Sequence, residues 1–216
     1  MRGGETVPCP EQVDQVRHDT QPTASGAWVL PPTYTYFLDR GLAAQLARLF
    51  AGASVVELGA GKGCYADYLR RASTGRPASS RLPSVRAFDG APDVAAMTGG
   101  LVERADLSTP MIGQPAADWV LCLETAEHIP RAHEEQLLAN LHRLNTVGIV
   151  MSWSNNAGGN GHVNLRTNEW VERRLARMGY QRDKPSERAL RRAVSDIHWF
   201  RDTLMAFRRV GGPSEG

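Results

Sequence analysis

Two stretches of this chain carry residue types and spacings that can do chemistry. The first is Glu57-Leu58-Gly59-Ala60-Gly61-Lys62-Gly63, where a carboxylate is followed by three glycines at alternate positions. An apolar run, Val55-Val56, precedes it and a helical pattern follows at once. That order reads as a buried strand, a tight turn and a helix start. Glycine permits positive φ and lets a ligand approach the main chain. Such a turn makes a nucleotide-sized crevice in an open α/β sheet. The second stretch is Glu124-Thr125-Ala126-Glu127-His128, at the end of the apolar run Trp119-Val120-Leu121-Cys122-Leu123. His162 follows later, in Gly161-His162-Val163-Asn164. Carboxylates and imidazoles in this number either move protons near neutral pH or ligate a metal. Asp89 closes another apolar run, where a ribose hydroxyl pair is usually gripped.

The elements that position these groups alternate from end to end. Strands are expected at residues 54–58, 85–88, 101–105, 119–123, 148–153, 180–183 and 203–210. Helical patterns fall between them: one after the glycine turn with Tyr65, Tyr68, Leu69 and Ala72 on one face, and one with Leu137, Leu138, Leu141 and Leu144. Another starts at Thr167 or Asn168 and ends at Gly179, and one long helix is expected over residues 186–200. This alternation argues a doubly wound, mostly parallel sheet of about seven strands. Residues 1–52 read as an N-terminal arm plus helices packing on or covering the site. Residues 53–211 form the core and 212–216 a frayed tail. Residues 73–83 are an aperiodic insertion. Tyr34, Tyr36 and Phe37 are core or pocket aromatics. Trp153, Asn155 and Asn156 are candidates to border an acceptor, and the loop to Gly161 is a candidate lid.

Composition bounds the rest. At 216 residues and a net charge of +2, the chain is an ordinary globular protein. It lacks a membrane-length apolar run and an apolar leader, so a cytoplasmic protein is expected. Three widely spaced cysteines form no disulfide framework or metal motif; Cys122 reads as inert packing and Cys64 as a helix-start thiol without a base. The arginines after Arg166 are interspersed with acids, which favours a solvated face over a nucleic-acid groove.

A nicotinamide site wants Gly-x-Gly-x-x-Gly and an acid about 20 residues on; the spacing here is Gly59-x-Gly61-x-Gly63, and Asp89 is further away. The alternate-glycine turn resembles the first motif of the Rossmann-like (class I) S-adenosylmethionine-dependent methyltransferases. The resemblance covers residues 53–210, through Asp89, Arg104-Ala105-Asp106-Leu107, the Asp118–Glu124 strand and Leu204–Arg208. It implies an antiparallel last strand and S-adenosylmethionine as cofactor. The implied cofactor residues are Glu57, Gly59, Ala60, Gly61, Gly63, Asp89, Asp106, Leu107 and Glu124. Glu57 would orient the turn or accept from the cofactor amine, Asp89 would take the ribose and Asp106 the adenine. The implied catalytic residues are His128, His162 and Glu127.

Glu124-x-x-Glu127-His128 with a later histidine is similar to the metal set of small-RNA 2′-O-methyltransferases and ubiquinone-pathway O-methyltransferases, so Glu124, Glu127, His128 and His162 are candidate ligands of a divalent ion. A metal-free role for the histidines, as base or acceptor orienter, stays open beside it. The expected activity is O-methylation of a small molecule. The alternatives are a metal-dependent RNA 2′-O-methyltransferase and a catalytically silent cofactor-binding module.

Overall fold

The computed structural model describes residues 22–29, 37–73 and 84–210. Seven strands form one sheet: β1 (Val55–Leu58), β2 (Val85–Asp89), β3 (Glu103–Arg104), β4 (Ala117–Cys122), β5 (Asn145–Ser152), β6 (Tyr180–Arg182) and β7 (Leu204–Arg209). Their spatial order is β3-β2-β1-β4-β5-β7-β6. Every pair up to β5 is parallel, whereas β7 runs antiparallel to both β5 and β6. The expected doubly wound sheet with an antiparallel last strand is the observed one.

Alternation along each strand divides the core into two layers. Val55, Trp119, Leu121 and Val150 face one side, where α1 (Arg40–Leu49), α2 (Cys64–Ser73) and α6 (Lys184–Ala193) pack. Val56, Val120, Cys122 and Ile149 face the other, against α4 (Glu134–Arg143) and α5 (Asn168–Ala176). Both faces of β1 and β4 are covered, which is why those strands read as unbroken apolar runs. Two short helices, α3 (Val94–Met97) and α7 (Phe200–Thr203), complete the chain. Thr167 caps α5 by accepting from the Trp170 N–H, and Gly179 turns the chain at φ +84°. Tyr180–Arg182 lies at the sheet edge, as its short pattern predicted.

Two sequence expectations change. The strand at 101–105 shrinks to the two exposed residues of β3, because it pairs only with the end of β2. The long helix at 186–200 is broken after Ala193. Its would-be continuation is captured by Asp39, whose carboxylate accepts from the N–H groups of Ser195 (3.0 Å), Asp196 (2.8 Å) and Ile197 (2.9 Å). The same carboxylate caps α1 through Leu42 N–H at 2.8 Å. The expected arm is described only over residues 22–29, where Pro22 and Trp28 form an antiparallel bridge. Tyr34 and Tyr36, most of the insertion and the tail lie outside the described residues.

Many of the C-terminal arginines are committed within the fold. Arg166 makes a bidentate pair with Glu134 (2.7 and 2.8 Å), Arg182 pairs with Glu187 (2.7 Å), and Arg208 pairs with Asp183 (2.8 Å). No helix among the described residues is long and apolar enough to cross a membrane.

Candidate functional site

A cavity of about 350 Å³ opens at the carboxyl ends of the central strands, the position at which open α/β sheets bind ligands. Glu57 lies one residue before the end of β1 and is buried, with Oε2 unpartnered. Burial is the main cause that pushes its pKa up to about 8; the nearby Asp89 carboxylate adds to the rise, while the Ala66 N–H and Arg70 oppose it. The glycine turn follows with φ of +74° at Gly59 and +54° at Gly61. A Cβ on Gly59 would lie 2.1 Å from Thr125 Oγ1, so this glycine is required by space as well as by conformation.

Asp89 ends β2 and splits its carboxylate between two N–H groups. Oδ2 accepts from Gly61 at 2.7 Å and Oδ1 from Ala91 at 2.8 Å. Burial raises its pKa against those two bonds. Asp89 therefore fixes the glycine turn while it lines the cavity. Burial also works to raise the pKa of Asp106, but donors from Ser108 and Ser25 outweigh it and hold the carboxyl low. The backbone beside Asp106 is held from α4: Asn140 Nδ2 donates to the carbonyls of Leu107 (3.1 Å) and Thr109 (2.8 Å).

At the other end of the cavity, Glu124 has φ +48°, the one positive φ at a non-glycine among the described residues. Strain of this kind persists where neighbours over-determine it. Here Glu124 N–H donates to Ser152 Oγ at 2.8 Å, and that hydroxyl donates back to Glu124 Oε1 at 2.7 Å. Burial raises the pKa of Glu124, against the opposing influence of Ser152, Trp199 and His162. Glu127 is fully buried and neither carboxylate oxygen has a hydrogen-bond partner. The N–H groups of Glu127 and Ser154 favour its charge from outside bonding geometry, and burial together with Glu124 drives its pKa well up.

The Glu127 carbonyl accepts from Val163 N–H (2.9 Å) and Asn164 N–H (3.0 Å), which docks the loop carrying His162. His128 Nδ1 lies 3.1 Å from the Gly161 carbonyl, and His162 Nδ1 lies 2.8 Å from that of Asn156. A carbonyl only accepts, so each Nδ1 carries a proton. Burial, reinforced by His162 and opposed by the Gly161 carbonyl, brings the His128 pKa down to about 4. His128 is therefore a neutral imidazole at pH 7. Among the described residues, ligand atoms of Glu127, His128 and His162 lie within 4.8 Å of one another. Glu124 is not in that set.

Most of the expected site residues meet at this cavity. Glu57, Gly59, Ala60, Asp89, Asp106, Leu107, Glu124, His128 and His162 all line it. Gly61 and Gly63 do not: the first donates to Asp89, and a Cβ on the second would meet Val102 Cγ2 at 2.7 Å. Glu127 sits outside the lining as well. Trp153 is core, with Nε1 donating to the Asn164 carbonyl at 2.7 Å. Asn156 contributes a carbonyl to His162 rather than a wall. Phe37 does reach the cavity.

The sequence placed residues 1–52 on or over the site without singling out residues; Ser25, Gly26, Ala27 and Trp28 are the ones that line the cavity, and Trp199, which the sequence did not point to, joins them. Close fits at three glycines seat the 22–29 segment. A Cβ on Gly26 would meet the His128 carbonyl at 2.3 Å, one on Gly90 would meet Ala27 Cβ at 2.6 Å, and one on Gly161 would meet the Trp28 ring at 2.6 Å. Cys122 is free, buried and pushed up to about 12, so it is inert as expected. Cys64 is disulfide-bonded, contrary to the expectation of unpaired cysteines; sequence spacing does not report proximity in the fold.

No family model and no curated protein matches this chain. Solved structures do. One is magnesium protoporphyrin IX methyltransferase from Synechocystis PCC 6803 with bound SAM, at 15% identity and TM-score 0.55 over 78% of this chain and 76% of that one. Another is a TehB-like SAM-dependent methyltransferase from Corynebacterium glutamicum, at 16% identity and TM-score 0.55 over 79% and 88%. The chain has the class I methyltransferase fold. The cyclase SpnF matches it too, at 14% identity and TM-score 0.52 over 79% of each chain. The class I fold therefore does not by itself name the reaction.

Proposed function

We propose that this protein is an S-adenosylmethionine-dependent methyltransferase acting on a hydroxyl of a small molecule. The observation that carries this reading is a single cavity lined at one end by Glu57, Gly59, Asp89 and Asp106 and at the other by His128 and His162. The cofactor, when bound, supplies an electrophilic methyl group on a sulfonium. Gly59 and Ala60 give it an approach to the main chain, Glu57 accepts from its ammonium, Asp89 accepts from the ribose hydroxyls and Asp106 from the adenine amine. His128 Nε2, neutral and with its ring fixed by Gly161, takes the proton from the acceptor oxygen as that oxygen attacks. His162 orients the acceptor from the facing side; the two rings lie 5.0 Å apart.

Calorimetry with S-adenosylmethionine tests this directly: saturable binding is expected, and its absence removes the proposal. A sharper expectation concerns protons. Glu57, with its pKa near 8, holds a proton in the free protein at pH 7. Accepting from the cofactor's ammonium favours the charged form, so binding will release roughly one proton. The enthalpy measured in buffers of different ionisation heat reads this release. Identical heats across buffers, or a release that survives in Glu57→Gln, would count against the assignment.

A divalent ion is the second reading, favoured by the unpartnered oxygens of buried Glu127. Buried carboxylates are rarely left so. Glu127, His128 and His162 would hold the ion, with Glu124 beside them, and the mixed N/O set suits Zn²⁺, Mn²⁺ or Fe²⁺ better than Mg²⁺. Backbone carbonyls fixing the second nitrogen of each histidine are the usual outer support of such ligands. The ion would lower the pKa of an acceptor hydroxyl. Zn²⁺ or Mn²⁺ is then expected to raise the unfolding midpoint of wild type but not of Glu127→Gln. No shift, together with no metal retained by elemental analysis, removes this reading.

A further inference from the structure

The walls of the cavity have a charge pattern that the rest of the molecule does not share. The chain carries 25 lysines and arginines, yet among the described residues none lines the cavity. The lining instead holds the carboxyls of Glu57, Asp89, Asp106 and Glu124, with two imidazoles. Several of the described arginines are engaged elsewhere: Arg70 with the Val85 carbonyl (2.8 Å), Arg166 with Glu134 (2.7 Å) and Arg209 with the Asn145 carbonyl (3.0 Å). An anionic ligand entering here would lose its hydration and meet carboxyls rather than cations. The cofactor tolerates this because its net charge is positive.

The second observation is aromatic. Trp199 lines the cavity and stays 47% exposed, although it is one of the largest apolar side chains in the chain. It is not loosely placed, since its ring lies against that of Phe200, with centroids 6.3 Å apart, and it sits just beyond the backbone segment that Asp39 holds. Trp28 lines the same cavity and packs edge-on against His128, with ring centroids 5.4 Å apart. Two indoles in the lining of one cavity, one of them against His128, offer flat, apolar area at low entropic cost, and their faces attract rings and cations.

We propose that the acceptor is a planar hydroxylated aromatic compound, neutral or cationic, held against Trp199 and Trp28 and lacking phosphate or carboxylate. This rests on the methyltransferase reading and narrows it. A phosphate-rich acceptor such as an RNA terminus fits poorly, since it would need basic residues and none of the described lining residues is basic.

The test uses a ring series in which only the charge varies: meta-hydroxybenzylamine, meta-hydroxybenzyl alcohol and meta-hydroxybenzoate. Each is titrated calorimetrically into the full chain saturated with S-adenosylhomocysteine, and a short single-stranded RNA with a free terminal ribose is the fourth probe. The amine and the alcohol are expected to bind at least about tenfold more tightly than the benzoate or the RNA. Trp199→Ala is expected to weaken them by about tenfold, while Trp199→Phe restores most of the loss and S-adenosylhomocysteine binds both variants as it does wild type. Equal or tighter binding of the benzoate or RNA overturns the proposal, as does no binding of the amine and the alcohol, or an unchanged Trp199→Ala. Failure of S-adenosylhomocysteine itself to bind would instead bring down the methyltransferase reading, and this inference with it.

Discussion

Gly59→Ala will weaken S-adenosylmethionine binding by about 100-fold or more. Two independent costs add at this position. The φ of +74° belongs to the region that only glycine enters freely, and holding another residue there costs about 1–3 kcal/mol. The new Cβ would also stand 2.1 Å from Thr125 Oγ1 and 2.4 Å from its Cγ2, an overlap that costs a similar amount. Relief requires the turn to move away from Thr125, and the turn is tied to Asp89 through Gly61. Movement therefore carries Asp89 with it, and both ends of the cofactor site are lost together. Equilibrium dialysis or calorimetry measures the effect. Retention of wild-type affinity would show that the main chain at Gly59 does not meet the cofactor.

The second large effect is on stability. Asp39→Ala will lower the unfolding free energy by about 3 kcal/mol, read as a reduced urea midpoint at unchanged slope. The Asp39 side chain is fully buried and joins segments more than 150 residues apart in sequence. Its removal strands the N–H groups of Leu42, Asp196 and Ile197, the first and last of them in buried positions. Burial alone would raise the Asp39 pKa, but the bonds from Ile197, Leu42, Asp196 and Ser195 outweigh it and the folded value is lowered from 3.8. The sign follows by linkage: the contribution is complete above the unfolded pKa and is lost as pH falls through the folded one. Wild type and Asp39→Ala will therefore converge in stability only in strong acid. The pocket is affected as well, because the captured segment carries Ile197, Trp199 and Phe200 into the lining. A midpoint equal to wild type at pH 7 would rule out this role.

The long, strongly patterned features were legible in the sequence. β1 and β4 are buried on both faces, so their apolar runs are continuous and their ends are marked by Glu57 and by the Glu124 stretch. The glycine turn and Asp89 were legible for a related reason: a tight turn beside a ligand accepts few residue types. The break after Ala193 was not legible, because residues 186–200 keep a helical pattern and the competing acceptor, Asp39, lies far away in sequence. For residues 22–29 only a place on or over the site was legible, not which of them meet the cavity. That segment has no period of its own, and it is placed by gaps at Gly26, Gly90 and Gly161 that appear only once distant chains have met.

The sequence by itself determined the sheet, the crevice and the kinds of group gathered around it. It did so because strand burial, turn conformation and residue chemistry are local properties. Only the tertiary structure decided which of those groups share a space. It put His128 and His162 ring to ring, left Glu127 without a partner beneath them, and kept Gly63 out of the cavity. It also brought Trp28 and Trp199 into the lining of the cavity and kept the described arginines out of it. Those outcomes depend on long-range packing and on which carbonyl or carboxylate captures each donor, and neither is written into any single stretch of the chain.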